Sequence, residues 1–220
     1  MTASTHRESW REQIERYGWY DTLLGKVLNR LKPHLVVMWV SYSKFADRQQ
    51  PPSRIASETR MLSDEEVLRL PAAFPDQITK PFVEAATARG DKCIGTFVDN
   101  QLIAMSWRSY STAPHQDGLW VKFEKPYRYG YKSYVLPAYR GLRAQRGGTT
   151  DEYCLSQGCD RSISFIERHN LPSMKSKRRR SDFHALGYVF IVRLFGRRFI
   201  LSTPTVKTSG FAFYESDSKS

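Results

Sequence analysis

The residues best placed to do chemistry lie between Tyr131 and Tyr188. A strand-like run ends in Val135-Leu136-Pro137 and passes into Ala138-Tyr139-Arg140-Gly141. Then come a helix-forming stretch, a second strand, Asn170, another helix and Leu186-Gly187-Tyr188. Arg and Gly at the first strand-to-helix turn set backbone N–H groups at a helix N-terminus, a geometry that holds phosphate. A nucleotide-containing cofactor is the expectation. Thiol and metal chemistry are not expected. Cys93, Cys154 and Cys159 form no CxxC pair, Cys154 and Cys159 lack a paired His at useful spacing, and no His or Cys cluster has metal-ligand spacing.

Several elements must position these residues. Trp10, Ile14, Tyr17, Leu24, Leu28 and Leu31 recur at helical spacings, so an amphipathic helix is expected over Trp10–Leu31, weakened by Gly18 and Gly25 and ended by Pro33. Leu35–Tyr42 reads as a strand, and Ala46–Ile55 as a loop or linker around Gln49-Gln50-Pro51-Pro52. Ser63 caps a short helix to Leu70 with Glu66 at the capping-box position. Thr79-Lys80-Pro81 opens another helix, Pro81–Arg89, stopped by Gly90. Lys92–Val98 and Gln101–Tyr110 form a hairpin turning at Asp99-Asn100. A loop over Thr112–Gly118 and strands Leu119–Glu124 and Tyr129–Leu136 come next. They are followed by a helix over Ala144–Gln157, a strand Arg161–Ile166, a helix Leu171–Leu186 and a strand pair Tyr188–Leu201 turning at Gly196. The expected division is 1–50 as an N-terminal helix and strand, 51–206 as the main domain and 207–220 as a loose tail.

Composition narrows the partners. An apolar fraction of 40%, with 12 Phe, 12 Tyr and 5 Trp, argues for a folded core. The formal charge of +12 favours an anionic partner: a phosphorylated cofactor or acidic carrier protein, nucleic acid, or an anionic membrane surface. No stretch approaches the roughly 20 apolar residues that span a bilayer. Met1–Arg11 is polar and lacks the apolar middle of a secretion signal, so a cytoplasmic location is expected.

The chain resembles the GCN5-related N-acetyltransferase (GNAT) superfamily over roughly Ile55–Leu201. The carriers are the hairpin Gly95-Thr96-Phe97-Val98-Asp99-Asn100-Gln101-Leu102-Ile103-Ala104, the segment Val135-x-Pro137-x-Tyr139-Arg140-Gly141, a strand ending near Asn170 with Ser173 three residues on, and Leu186-Gly187-Tyr188 where the family has Leu-Gly-Phe. The resemblance implies an α/β (α+β) fold: a mixed, twisted sheet with splayed central strands, helices on both faces and here an extra N-terminal helix. It implies acetyl-CoA or a longer acyl-CoA, or an acyl group on a carrier protein, as donor in the gap between those strands, and the amine of a small molecule as acceptor. Val135 and Leu136 sit where strand backbone pairs with the pantetheine arm. Arg140, Gly141, Leu142, Arg143 and Ala144 sit where turn amides hold the pyrophosphate, and Asn170, with Ser173 three residues on, where the family contacts the pantetheine or its edge. This chain departs from the family in placing Arg143 where the turn carries Gly, Gln145 at the next small position, and Phe183 where many members carry a Tyr acid.

Acylating an amine requires a base for the amine proton, a polarised thioester carbonyl and sometimes an acid for the departing sulfur. Tyr134 is a candidate acid or a packing residue. His184, expected on the last helix beside Phe183, is a candidate proton carrier, since imidazoles titrate near neutrality, or a helix-surface His. His115 and Glu124 could face the acceptor, or be a loop His and a solvated charge between Lys122 and Lys125. Strand alternation sets Tyr131, Ser133 and Val135 on one face and Lys132, Tyr134 and Leu136 on the other. The run Lys175–Arg180 is a solvated helix face, a clamp for phosphate or a carrier protein, or a nucleic-acid or membrane patch. Two other functions stay open: a catalytically inactive GNAT-like binding module, and a basic protein associated with nucleic acid or a membrane surface. Peripheral membrane contact and a homodimer are open too. Nucleic acid is the less favoured partner, because no stacking motif accompanies the charges.

Overall fold

The computed structural model describes residues 9–47, 56–116, 118–139, 149–179 and 181–215. Ser9 caps α1 (Trp10–Tyr17), its side chain accepting the Glu12 N–H while the Glu12 carboxylate accepts the Ser9 N–H. The one long helix expected here is broken at Gly18, whose φ of +85° suits Gly and closes α1 before α2 (Trp19–Leu31) begins. β1 (Leu35–Lys44), β2 (Glu58–Met61) and α3 (Asp64–Ala73) follow. α3 opens on the expected Ser63–Glu66 capping box. Thr79 caps α4 (Lys80–Ala88), and the hairpin β3 (Lys92–Val98) and β4 (Gln101–Ser109) turns at Asp99 and Asn100, both at positive φ. Then come β5 (Thr112–Pro114), β6 (Leu119–Lys122), β7 (Tyr127–Val135), a 3₁₀ turn Pro137–Tyr139, α5 (Thr149–Ser156) and β8 (Arg161–Glu167). The chain ends with α6 (Leu171–Arg178), β9 (Phe183–Leu194), β10 (Arg197–Ser202), α7 (Pro204–Thr208) and β11 (Ala212–Glu215).

Three expectations need correction. The loop over Thr112–Gly118 contains strand β5. The last helix ends at Arg178, not Leu186, and His184 therefore lies in β9. Lys175, Lys177 and Arg178 crowd its last turn, where cations favour the helix C-terminus but repel one another if the helix runs on. Beyond them, Tyr188-Val189-Phe190-Ile191-Val192 commits the chain to a strand that grows back to Phe183. Nor is the tail loose as far as Glu215: β11 pairs antiparallel with β6, setting Ala212 opposite Lys122 and Glu215 opposite Leu119, with Phe213 buried. The division expected at 50/51 falls outside the described residues.

The result is a mixed, mostly antiparallel α/β fold in two compact units. One unit joins Met1–Ser41 to Phe165–Lys207. It holds α1, α2 and α6 with strands in the order β10-β9-β1-β8, around Val40, Met174, Val189 and Ile191. The other joins Tyr42–Ser164 to Thr208–Ser220. Its strands run β8-β7-β4-β3-β2, antiparallel except where β7 meets β8, with a separate three-stranded sheet β11-β6-β5. Helices cover both faces here. Phe82 of α4 packs edge-on against Trp107 at 5.4 Å, while Tyr153 and Asp151 of α5 meet Tyr110 and Arg128 on the opposite face.

Candidate active site

The site is built on β7, and two features of its backbone shape it. On one edge the register with β4 is interrupted: Trp107 faces Tyr131 and Met105 faces Tyr134, so Lys132 and Ser133 together oppose Ser106. This is a β-bulge, and Lys132 takes a φ of +48° within it. On the other edge the parallel register with β8 pairs Tyr127 with Arg161, Arg128 with Ser162 and Tyr129 with Ile163, and ends there. The register with β4 continues to Val135. A bulge bends and over-twists its strand, which accounts for β7 leaving β8 just before Lys132.

The bulge also overturns the expected alternation. Trp107 and Met105 are two residues apart on β4 and share a face, so their partners Tyr131 and Tyr134 share it too. Ring contacts agree: Tyr131 packs edge-on against Phe82 of α4 at 6.1 Å, and Tyr134 against Phe74, the residue after α3, at 5.7 Å. Tyr129 stacks on Tyr131 at 6.1 Å with an interplanar angle of 7°. One face of β7 therefore carries a row of three tyrosines. Ser133 turns the other way, with its Oγ 2.6 Å from that of Ser106, which in turn accepts from the Arg108 guanidinium.

The tyrosines differ in chemistry. Tyr131 donates its hydroxyl to the buried Asp91 carboxylate at 2.5 Å, and Arg89 donates to the same oxygen through Nε at 3.1 Å and Nη2 at 2.9 Å. Burial, then the hydrogen bond and charge of Asp91, push the Tyr131 hydroxyl well above the usual range for tyrosine. Its proton is held by Asp91. Tyr129 is shifted upward by burial. Tyr134 lies half-buried near the end of β7, against the Phe74 ring. The Asp91–Arg89–Tyr131 cluster is missing from the sequence reading. Its signal was the Arg-x-Asp pair at a helix stop, which announces nothing about a strand 40 residues away.

The other predicted residues distribute as follows. Leu136 donates its N–H to the Ile103 carbonyl at 2.9 Å, so that donor serves β4, and alternation turns the Val135 N–H toward the opposite edge. Arg140, Gly141, Leu142, Arg143 and Ala144 lie outside the described residues. The Asn170 side chain caps α6, accepting the Ser173 N–H at 3.3 Å, which occupies both residues with helix geometry. His115 packs edge-on against Phe213 at 5.4 Å beside the small sheet. Glu124 is exposed in the loop after β6 and pairs loosely with Lys122 at 3.9 Å. His184 is half-buried in β9, in the other unit from β7. Of the four candidate proton carriers, Tyr134 is the one on β7 past the end of the β8 register. The basic run is largely engaged within its own unit: Lys175 Nζ donates to the Arg16 carbonyl, Arg178 bonds Asp21 at 2.8 Å, and Lys177 lies 4.9 Å from the Phe183 ring centroid.

No protein-family model and no curated protein sequence matches the chain. Solved structures do. A GNAT-family acetyltransferase structure from Novosphingobium aromaticivorans is similar, with a TM-score of 0.44 and 16% identity over 71% of this chain and 62% of that one. AAC(6′)-Iy, bound to the bisubstrate analogue CoA-S-monomethyl-acetylneamine, gives a TM-score of 0.39 and 14% identity over 57% of this chain and 90% of that one. A GCN5-related N-acetyltransferase from Kribbella flavida gives 0.37 and 11% over 64% and 54%. The chain spans less than two thirds of the length of the first of these.

Proposed function

We propose that the chain transfers an acetyl or longer acyl group from acyl-CoA, or from an acyl carrier protein, to the amine of a small molecule. One observation carries this reading. β7 is bulged at Lys132–Ser133 and its parallel register with β8 ends at Tyr129–Ile163, which leaves the strand edge over which a thioester arm can lie. The neutral amine attacks the thioester carbonyl carbon, and β7 N–H groups that alternation turns away from β4 stabilise the oxyanion. The C–S bond then breaks, the Tyr134 hydroxyl protonates the thiolate, and the amine proton leaves to water. Calorimetry with acetyl-CoA, a long-chain acyl-CoA and an acyl carrier protein tests the reading. Saturable binding to one of them is expected, and silence with all three ends it.

A second reading is a module that binds the donor without turnover. It is favoured by Phe183, which has no proton to give, and by the absence of any carboxylate from Tyr129 to Leu136. Donor binding with no product across a broad amine panel selects it.

A further inference from the structure

We propose that the outward face of α2 docks on an anionic lipid surface. At 100° per residue, the side of α2 that carries Thr22, Gly25 and Leu28 is buried in its unit. The opposite side carries Trp19, Tyr20, Leu23, Val27 and Leu31, which are 66%, 59%, 47%, 44% and 41% exposed. Lys26 and Arg30 fall on the same side, and no carboxylate does. The acid of this helix, Asp21, is turned inward, where Arg168 and Arg178 pair with it. Of the acids of α1, Glu12 is held in the capping box and Glu15 is exposed. No acid of α2 itself therefore lies on the outward face. Lys26 Nζ sits 3.6 Å from the centroid of the Trp10 ring, which is itself 44% exposed, so a second indole borders the stripe.

Aliphatic side chains flanked by Trp and Tyr, with cations and no anions, are the composition of a helix that lies in the headgroup layer. Charge decides between occupants. A second copy of this chain would bring the same Lys26 and Arg30 to the interface and no carboxylate to compensate them. An anionic headgroup layer supplies that compensation. This inference does not rest on the acyltransferase reading.

The test uses the full chain, sedimented with vesicles of phosphatidylcholine alone or mixed with phosphatidylglycerol. Binding to the mixed vesicles is expected, weakening as salt rises. Leu23→Glu with Val27→Glu should lower the partition coefficient at least about tenfold, and Lys26→Gln with Arg30→Gln should erase roughly a tenfold preference for the anionic vesicles. All four side chains are exposed, and circular dichroism checks that the variants fold. Phe199→Glu, at an exposed apolar position on β10, should bind as the parent does. Equal retention on both vesicle types, or binding unchanged by the Leu23 and Val27 substitutions, overturns the proposal. So does a dimer by light scattering that Leu23→Glu dissociates, which would assign the face to a second copy.

Discussion

Tyr134 and Tyr131 share a face of β7, where Tyr131 gives its hydroxyl to the Asp91 carboxylate and Tyr134 lies half-buried near the strand end. Tyr134→Phe keeps the ring against Phe74 and removes only the hydroxyl. Turnover should fall roughly hundredfold with little change in KM or melting temperature; an unchanged kcat would show that the thiolate leaves without this acid. Tyr131→Phe acts instead on stability. It strips one hydrogen bond from a buried carboxylate that Arg89 still holds, so urea unfolding should report a loss of about 1–2 kcal/mol. At this level the sequence was half legible. Tyr134 could be named as a candidate acid or packing residue from strand alternation. The Asp91 pairing that disqualifies Tyr131 could not, because a buried cluster drawn from a helix stop and a distant strand leaves no local pattern. His184 lies on a strand and not a helix because the cations Lys175, Lys177 and Arg178 crowd the last turn of α6 and the run Tyr188–Val192 favours a strand.

Among the elements, the β3–β4 hairpin, the Ser63–Glu66 capping box and the α4 start were readable, since each is written in a few adjacent residues with a local physical role. The bulge was not read, although a trace was present: aromatic positions 127, 129 and 131 step by two, and the next falls at 134. Close packing under the hairpin gives a sharp test. A Cβ at Gly95 would lie 2.5 Å from Leu62 Cδ2 and 2.8 Å from Leu102 Cδ1, so Gly95→Ala should cost about 1–3 kcal/mol in thermal or urea unfolding. The α3 cap gives a pH-dependent one. The Arg60 guanidinium, then the Ser63 N–H, lower the Glu66 carboxyl from about 4.5 to about 2. A depressed acid stabilises the fold above its unfolded pKa and loses that contribution as pH falls through the folded value. Both partners are partly solvated, so the contribution is modest. Glu66→Gln should therefore lower stability by about 1 kcal/mol at neutral pH. The gap should close between about pH 4.5 and pH 2; a gap that persists at pH 2 would contradict this origin.

For the chain as a whole, the charge of +12 acts at a distance. It should speed capture of an anionic donor, so the association rate of acetyl-CoA in stopped flow should fall as salt is raised, whereas that of an uncharged acyl-pantetheine should not. Equal salt dependence of the two would assign the charge to another partner. Composition disclosed this field but not its layout, since the fate of each cation depends on pairings such as Arg178 with Asp21. The unit that contains most of β1 is also drawn from two segments far apart in sequence, Met1–Ser41 and Phe165–Lys207. During synthesis, Val36–Val40 leaves the ribosome early, an unbroken apolar strand whose eventual neighbours β8 and β9 are still untranslated. Nascent chains arrested before Phe165 should be held by a chaperone at that segment, and chains released beyond Lys207 should shed it.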